Sequence, residues 1–344
     1  MKICLIGAFD FSGMDTGGQP VKSRELYYAM KKYFSNDIVD YIDTKDWKSN
    51  VLKLGLNLSY AFMKDDVFIM LPAHNGVKVF SKLLVVCKKI KKAKIFYDVI
   101  GGWLPDIVNN HPKMARNLAQ FDGIWVETTS MKMALSGYGL NNVSVIPNFK
   151  DFEKCSIEFT NHSCPYKLCT FSRVMKEKGI EDAIEAVKLI NGREGKKIFE
   201  LDIYGLIDKE YETRFSELQK DFPNYIHYKG IVNPNCSVSV LKDYFLLLFP
   251  SHFKTEGIPG TIIDALKSGL PVISVRWDNY QDILIENKTG WGYDFGRNDQ
   301  FISLLEKAYK NPDKIDKMRK KCIEESNRFT PEFCMNLIKN EMQK

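Results

Sequence analysis

The sequence predicts an α/β protein built from two doubly wound, Rossmann-like domains, and three observations predict it. The chain has 344 residues, beyond the size at which a single hydrophobic core stops growing. Short apolar runs alternate with helical segments through both halves, the pattern of parallel sheets flanked by helices. Between the halves lies a stretch with Asn, Ser and Pro, mixed charge and no periodicity, residues 148–167 (NFKDFEKCSIEFTNHSCPYK). These divide the chain into an N-terminal domain over 1–150, a C-terminal domain over 165–325, and a closing helix over 326–344 expected to pack back on the first domain.

In the first half the strand candidates are KICLIGAF, DIVDYID, VFIML, KIFYDVI, GIWVET and VSVIPN. A first helix is expected to begin near Pro20, a residue suited to a first turn, with Val21, Leu26, Met30 and Tyr33 on one face. The second half offers KLCTFSR, FELDIYG, IHYKGIV, YFLLLFP and LPVISV as strands, with IEDAIEAVKLIN and YETRFSELQKDF as helices between them. Residues 312–344 read as two charged amphipathic helices, broken near Phe329-Thr330-Pro331. Two such sheets would present their strand C-terminal ends to a shared cleft, where ligands bind in this architecture.

Hydrophobic residues at 44% and charged residues at 27% are ordinary for a globular chain. No apolar run approaches the ~20 residues a spanning helix needs. Asp10 ends the opening apolar stretch too early for a leader, so it reads as a buried strand. The eight cysteines are scattered without a C-x-x-C pair, which indicates neither zinc nor a disulfide framework and fits a reducing cytoplasm. The net charge of +6 is uneven: residues 1–150 hold 20 Lys and Arg against 13 Asp and Glu, the remainder 29 against 30. Seven lysines and no acid fall between Lys78 and Lys94. That run fits either a solvated helix end or a face for anionic lipid or a phosphate-bearing acceptor, at ~1 kcal/mol per basic residue. Nucleic acid is disfavoured, because the run lacks interleaved stacking aromatics.

The chemistry concentrates in residues 249–275. A strand ends at Pro250, a loop carries Glu256, and the turn Gly257-Ile258-Pro259-Gly260-Thr261 leads into a helix that stops at Gly269. Free backbone N–H groups at that helix start suit a diphosphate. Asp264, expected in the first helical turn, and Glu256 can serve as acceptors for sugar hydroxyls. An acidic helix start would explain Asp264 through the macrodipole alone, but not Glu256 and the glycines with it. After the strand KLCTF come Ser172-Arg173 and Lys178-Gly179, an Arg and a Lys five apart that can clamp a diphosphate. A Gly-Gly turn, Gly17-Gly18-Gln19-Pro20, follows the first strand.

Together these segments resemble the retaining glycosyltransferases of GT-B fold, family 4 (glycosyl transferases group 1). Glu256 and Asp264 match that family's E-x7-E signature, with Asp in place of the second Glu. Ser172-Arg173 through Lys178-Gly179 is similar to its G-R-x4-K-G segment, and Gly17-Gly18-Gln19 to its GG(Q) loop. Val145-Ile146-Pro147-Asn148 and the turns at Gly205, Gly230 and Gly290 match as well. The resemblance implies that Arg173 and Lys178 neutralise the leaving diphosphate, Glu256 contacts the donor sugar and Asp264 holds the ribose. Gly17, Gly18 and the turn from Gly257 to Thr261 would complete the donor site. It implies neither metal nor cofactor, the nucleoside-diphosphate sugar being a substrate and a glycan or lipid-linked molecule the acceptor. A cytoplasmic enzyme, peripheral on the membrane's inner face and engaged in surface-polysaccharide assembly, is the expectation.

Many family members carry a cleft histidine after a first-domain strand, whereas KIFYDVIGGWLPD has none. Asp98 is the nearest ionisable substitute, and Gly101-Gly102-Trp103 can shape an acceptor pocket. His74 and His111 lie in polar turns, and Glu127 orients the acceptor or caps the next helix. Other readings are a sugar-nucleotide epimerase of the same fold or a binding protein without turnover. A nicotinamide dehydrogenase is disfavoured because no G-x-G-x-x-G follows the first strand.

Overall fold

The computed structural model describes residues 1–12, 17–45, 47, 49–152 and 162–344. The chain forms two compact units, one of Met1–Asp151 with Thr330–Lys344 and the other of Phe152–Phe329. Most of the non-periodic stretch between the halves, residues 153–161, lies outside the described residues.

In the first unit β1 (Lys2–Gly7), α1 (Gly18–Tyr33), β2 (Ile38–Asp43), α2 (Val51–Lys64), β3 (Val67–Met70), α3 (Asn75–Ile90) and β4 (Lys94–Asp98) alternate. They are followed by α4 (Leu104–Asn110), α5 (Pro112–Leu118), β5 (Gly123–Val126), α6 (Thr129–Gly137) and β6 (Val143–Val145). The six strands pair in parallel in the order β2-β1-β3-β4-β5-β6. Alternation along the strands splits the core in two. Cys4 and Ile6 pack beneath Leu54, Leu58, Phe80 and Leu84 of α2 and α3, while Ile3 and Leu5 face Leu26 and Met30 of α1. Coverage on both faces is why β3 and β5 are continuously apolar.

The closing helix of the chain, α13 (Pro331–Gln343), belongs to this unit and packs against α1. Lys94 Nζ donates to Met342 O at 2.8 Å.

Helix α1 differs from the sequence expectation at both its start and its face. It begins at Gly18, two residues before Pro20, and it buries Lys22, Ser23, Leu26, Ala29 and Met30. Val21 is only half-buried and Tyr33 is exposed. At about 100° per residue, Val21 lies roughly 140° from Leu26, and Tyr33 sits on the helix's last residue. The true face includes a lysine, which a hydrophobic pattern assigns to solvent.

The second unit runs β7 (Tyr166–Phe171), α7 (Ile180–Glu194), β8 (Phe199–Tyr204), α8 (Glu212–Lys220), β9 (Ile226–Gly230), α9 (Ser237–Leu241) and β10 (Leu246–Phe249). It continues with α10 (Gly260–Lys267), β11 (Val272–Val275), β12 (Gly290–Tyr293), α11 (Asn298–Lys310) and α12 (Pro312–Ser326). Its parallel sheet has the order β12-β11-β10-β7-β8-β9. Both chain halves are thus doubly wound α/β sheets. Strand β12 is absent from the sequence reading because two of its four residues are glycine, a poor strand former. The structure needs Gly290: a Cβ there would lie 1.9 Å from the Val272 carbonyl oxygen on the neighbouring strand.

Candidate functional site

The sequence-predicted donor residues of the second unit gather after the C-terminal ends of β7 and β10. Helix α10 opens there without a cap. Its N-cap is Pro259, which has no N–H, and no side chain caps the helix. Among the described residues the N–H groups of Gly260 and Thr261 have no partner in the chain, so two orphan donors of a helix N-terminus remain for an anion. Thr261 Oγ1 donates to Phe171 O at 2.6 Å, tying this terminus to the end of β7, two residues before Arg173.

Asp264 is placed differently from expectation. It sits in the second turn of α10, whose first turn holds no acid, and its side chain is buried. The helix starts only at Gly260, so the turn before it consumes the residues that would have brought Asp264 nearer the terminus. A macrodipole role for it falls away.

From β7 the chain passes Arg173 and makes one 3₁₀ turn, Lys176–Lys178, before Gly179 takes the N-cap position of α7. Lys178 Nζ forms an ion pair with Glu256 Oε1, and Ser251 Oγ donates to the same oxygen at 3.1 Å. The Lys178 ammonium also lies 4.9 Å from the ring centre of Phe253 and 5.5 Å from that of Phe249, a cation held against two aromatic faces. Arg173 pairs with Asp208 at 3.6 Å and is more exposed. Lys178 and Glu256, 78 positions apart, are therefore in direct contact.

Gly179 fixes where Lys178 points. Its φ is +67°, and a Cβ would fall 1.9 Å from Pro250 O. Gly179→Ala is expected to cost about 2–5 kcal/mol, from the left-handed backbone and the steric overlap together. It should also depress donor turnover by displacing Lys178. Thermal unfolding and a turnover assay on the same preparation check both effects.

Residues that the sequence reading passed over hold the Glu256 loop. Asn279 Nδ2 donates to Glu256 O at 2.7 Å, and Trp277 Nε1 donates to Gly257 O at 3.3 Å. Both side chains are buried and follow β11. By fixing two successive carbonyls, they set the peptide planes of the turn ahead of α10. Neutral residues in a loop carry no local signal for such a role.

In the first unit, Gly17 is the N-cap of α1 and Gly18 its first residue. Asp98 ends β4, buried, with Lys22 Nζ 3.4 Å from its carboxylate. Glu127 takes the same ammonium at 3.1 Å and accepts the Gly101 N–H at 3.3 Å. Burial raises the Asp98 pKa and the Glu127 charge adds to this, against the lowering effect of Lys22. Asp98 is thus enclosed in an ion triad and offers no open carboxylate. The cap of α6 is Thr128, whose Oγ1 accepts from Met131 N at 3.1 Å; Glu127 serves the triad instead. His74 and His111 are both exposed. Among the described residues no three His, Cys, Asp or Glu side chains converge as a metal would require.

The family profile described as glycosyl transferases group 1 matches residues 156–329, about half of the chain. The amylovoran biosynthesis glycosyltransferase AmsK of Erwinia amylovora is 26% identical over 131 residues. That match covers 37% of this chain and 32% of AmsK, so it spans about a third of the relative's length. Among solved structures, the chain is similar to Anabaena Alr3699/HepE in complex with UDP, with a TM-score of 0.77, 14% identity and full coverage of both chains. Sucrose-phosphate synthase from Thermosynechococcus elongatus gives a TM-score of 0.79 at 13% identity, over 99% of this chain and 98% of that one. The fold is GT-B.

Proposed function

We propose that this chain, which belongs to the glycosyl transferases group 1 family, is a retaining, metal-independent glycosyltransferase of the family 4 type. It moves a hexose-type sugar from a nucleoside diphosphate to a glycan or lipid-linked acceptor in surface-polysaccharide assembly. The observation that carries this reading is the Lys178–Glu256 contact beside the uncapped start of α10. Support comes from the UDP named in the HepE complex and the polysaccharide named for AmsK.

In this reading the donor diphosphate lies on the Gly260 and Thr261 N–H groups, within reach of Arg173 and Lys178. Glu256 accepts hydrogen bonds from the sugar hydroxyls, and Asp264 holds the ribose. The bond from C1 to the diphosphate oxygen breaks, its electron pair going to the leaving group. The acceptor oxygen bonds to C1 on the same face, and its proton passes to the departing phosphate. Cations and oriented N–H groups stabilise the charge that grows on that phosphate. Asp98 is assigned a positioning role: with Lys22 and Glu127 it fixes the backbone at Gly101 before Trp103. UDP-, GDP- and dTDP-sugars, each incubated with lipid-linked acceptors, test the reading. Full turnover by the Arg173→Ala/Lys178→Ala double variant would sink it.

The partner on the first unit is read as an anionic membrane surface. Leu52, Leu56, Tyr60 and Met63 recur along one stripe of α2 and are 63–86% exposed; Ile90 of α3 is 83% exposed. Neither helix contains an acidic residue. Lys91 Nζ reaches Met63 O and Asp65 O, joining the C-terminal ends of α2 and α3. Of the lysine run, Lys88 is paired with Asp122, and Lys91 and Lys94 serve backbone carbonyls. Lys78, Lys82, Lys89 and Lys92 remain exposed. Apolar side chains flanked by lysines suit an interface of anionic lipid. No helix among the described residues is long and apolar enough to cross a membrane. Vesicles of phosphatidylglycerol should retain the protein and neutral phosphatidylcholine vesicles should not. Leu56→Glu with Met63→Glu should lower partitioning at least tenfold, and equal partitioning would dismiss this surface.

A further inference from the structure

We propose that the second unit carries a second anion site, a groove that binds oligophosphate, beside the start of the edge strand β12, whereas the Arg173–Lys178–Glu256 cluster follows the ends of inner strands. The groove encloses about 570 Å³. Lys288, just before β12, stands on one side, and Lys307 of α11 on another. Lys314, Lys317 and Lys321, spaced along one face of α12, complete the wall. No carboxylate lines it.

Among the described residues, the groove gathers several lysines that lack an acidic partner around one concavity. Lys197, Arg214, Arg276 and Arg297 each pair with an acid. In the groove only Lys321 does so, with Glu324 at 3.1 Å and Glu325 at 3.0 Å. Among the described residues, Lys288, Lys307, Lys314 and Lys317 have no carboxylate within 4 Å. Four uncompensated ammonium groups around one concavity repel one another, and a polyanion placed among them reverses the sign of that energy.

The floor narrows the ligand class. Trp291 is buried, its Nε1 donating to Asn287 Oδ1 at 2.8 Å, and the Lys307 ammonium lies 4.5 Å above its ring. The indole is therefore covered by a cation and offers no stacking platform to a nucleobase. The cations of the lining are all lysine, with no arginine, and lysines act as mobile point charges rather than planar forks. Such a wall suits a chain of phosphates more than a single carboxylate. Position separates the groove from the donor cluster: Lys288 precedes the start of β12, whereas Arg173 and Gly260 follow the ends of β7 and β10 in the same parallel sheet.

Calorimetric titration of the full chain with inorganic tripolyphosphate at low salt tests the proposal. The unaltered protein should show two binding events. Lys314→Gln/Lys317→Gln, both on the outer face of α12, should weaken one of them by at least about tenfold and leave the melting temperature unchanged. Arg173→Ala/Lys178→Ala should remove the other event and keep the groove event, so failure of the donor reading and failure of this one are distinguishable. A UDP arm separates free oligophosphate from a nucleotide's phosphate end: at the groove UDP should bind no more tightly than pyrophosphate. Tripolyphosphate binding that is the same in Lys314→Gln/Lys317→Gln as in the unaltered chain would overturn the proposal. So would UDP binding there well above pyrophosphate.

Discussion

Lys178→Ala is expected to lower kcat for sugar transfer by about 10²- to 10³-fold, the range found when one preorganised donor to a developing anion is removed. The size follows from what surrounds the ammonium. Lys178 is shielded between Phe249 and Phe253 and paired with Glu256, so its charge acts in a medium that screens it less than water does. Arg173, 41% exposed and paired with Asp208, is screened more and should cost less when truncated. Losing Lys178 also leaves the Glu256 carboxylate with Ser251 as its remaining side-chain donor among the contacts described above, which disturbs the group assigned to the sugar hydroxyls. Lys178→Met, which keeps the stem, separates the lost charge from lost packing and should show nearly the same defect. Steady-state kinetics at saturating acceptor decide the matter. A defect confined to KM would mean that Lys178 binds ground state and transition state alike.

How much of this was legible in the sequence depended on whether the signal was local. Arg173 and Lys178 lie five apart after one strand, and Glu256 lies beside a glycine-rich turn, so each announces its chemistry within a few residues. The β-α alternation that gives the two sheets is local in the same sense. The brace from Trp277 and Asn279 was not legible, because a neutral side chain that holds a carbonyl 20 or more residues away leaves no pattern in composition. Asp264 falls one turn later than its spacing predicts, because the position of a helix start depends on cap geometry. The apolar stripe of α2 is a third case. Its sequence, VLKLGLNLSYAFMK, is rich in leucine on every side, and only the packed sheet shows that Leu54 and Leu58 are used while Leu52 and Leu56 are not.

Lys22 is the clearest instance of a residue that pattern reading mislays, and it carries the largest expected effect on stability. Lys22→Met keeps the volume but leaves Asp98 and Glu127 buried together without a cation. Breaking a buried ion group by removing one partner costs about 3–5 kcal/mol. For a unit of this size that corresponds to roughly 6–20 °C in the first unit's melting transition. Burial alone would depress the lysine's pKa, but Asp98 and Glu127 together hold it well above its ordinary value. The ammonium therefore persists through neutral pH, and its stabilisation is lost only in strong alkali. Asp98 behaves in the opposite range. Its folded pKa is raised from 3.8, chiefly by burial, so the folded state holds that proton more tightly than the unfolded chain does. Its contribution to stability is complete below the unfolded value and is lost as pH rises through the raised one. Asp98→Asn abolishes that loss. Its unfolding free energy should vary less with pH than that of the unaltered protein across the acid range, and it should cost less at neutral pH than Lys22→Met. Denaturant melts at several pH values measure both. A Lys22→Met variant as stable as the parent would show that the two carboxylates share the site without needing the lysine, one of them protonated, and that the backbone at Gly101 is held by other contacts.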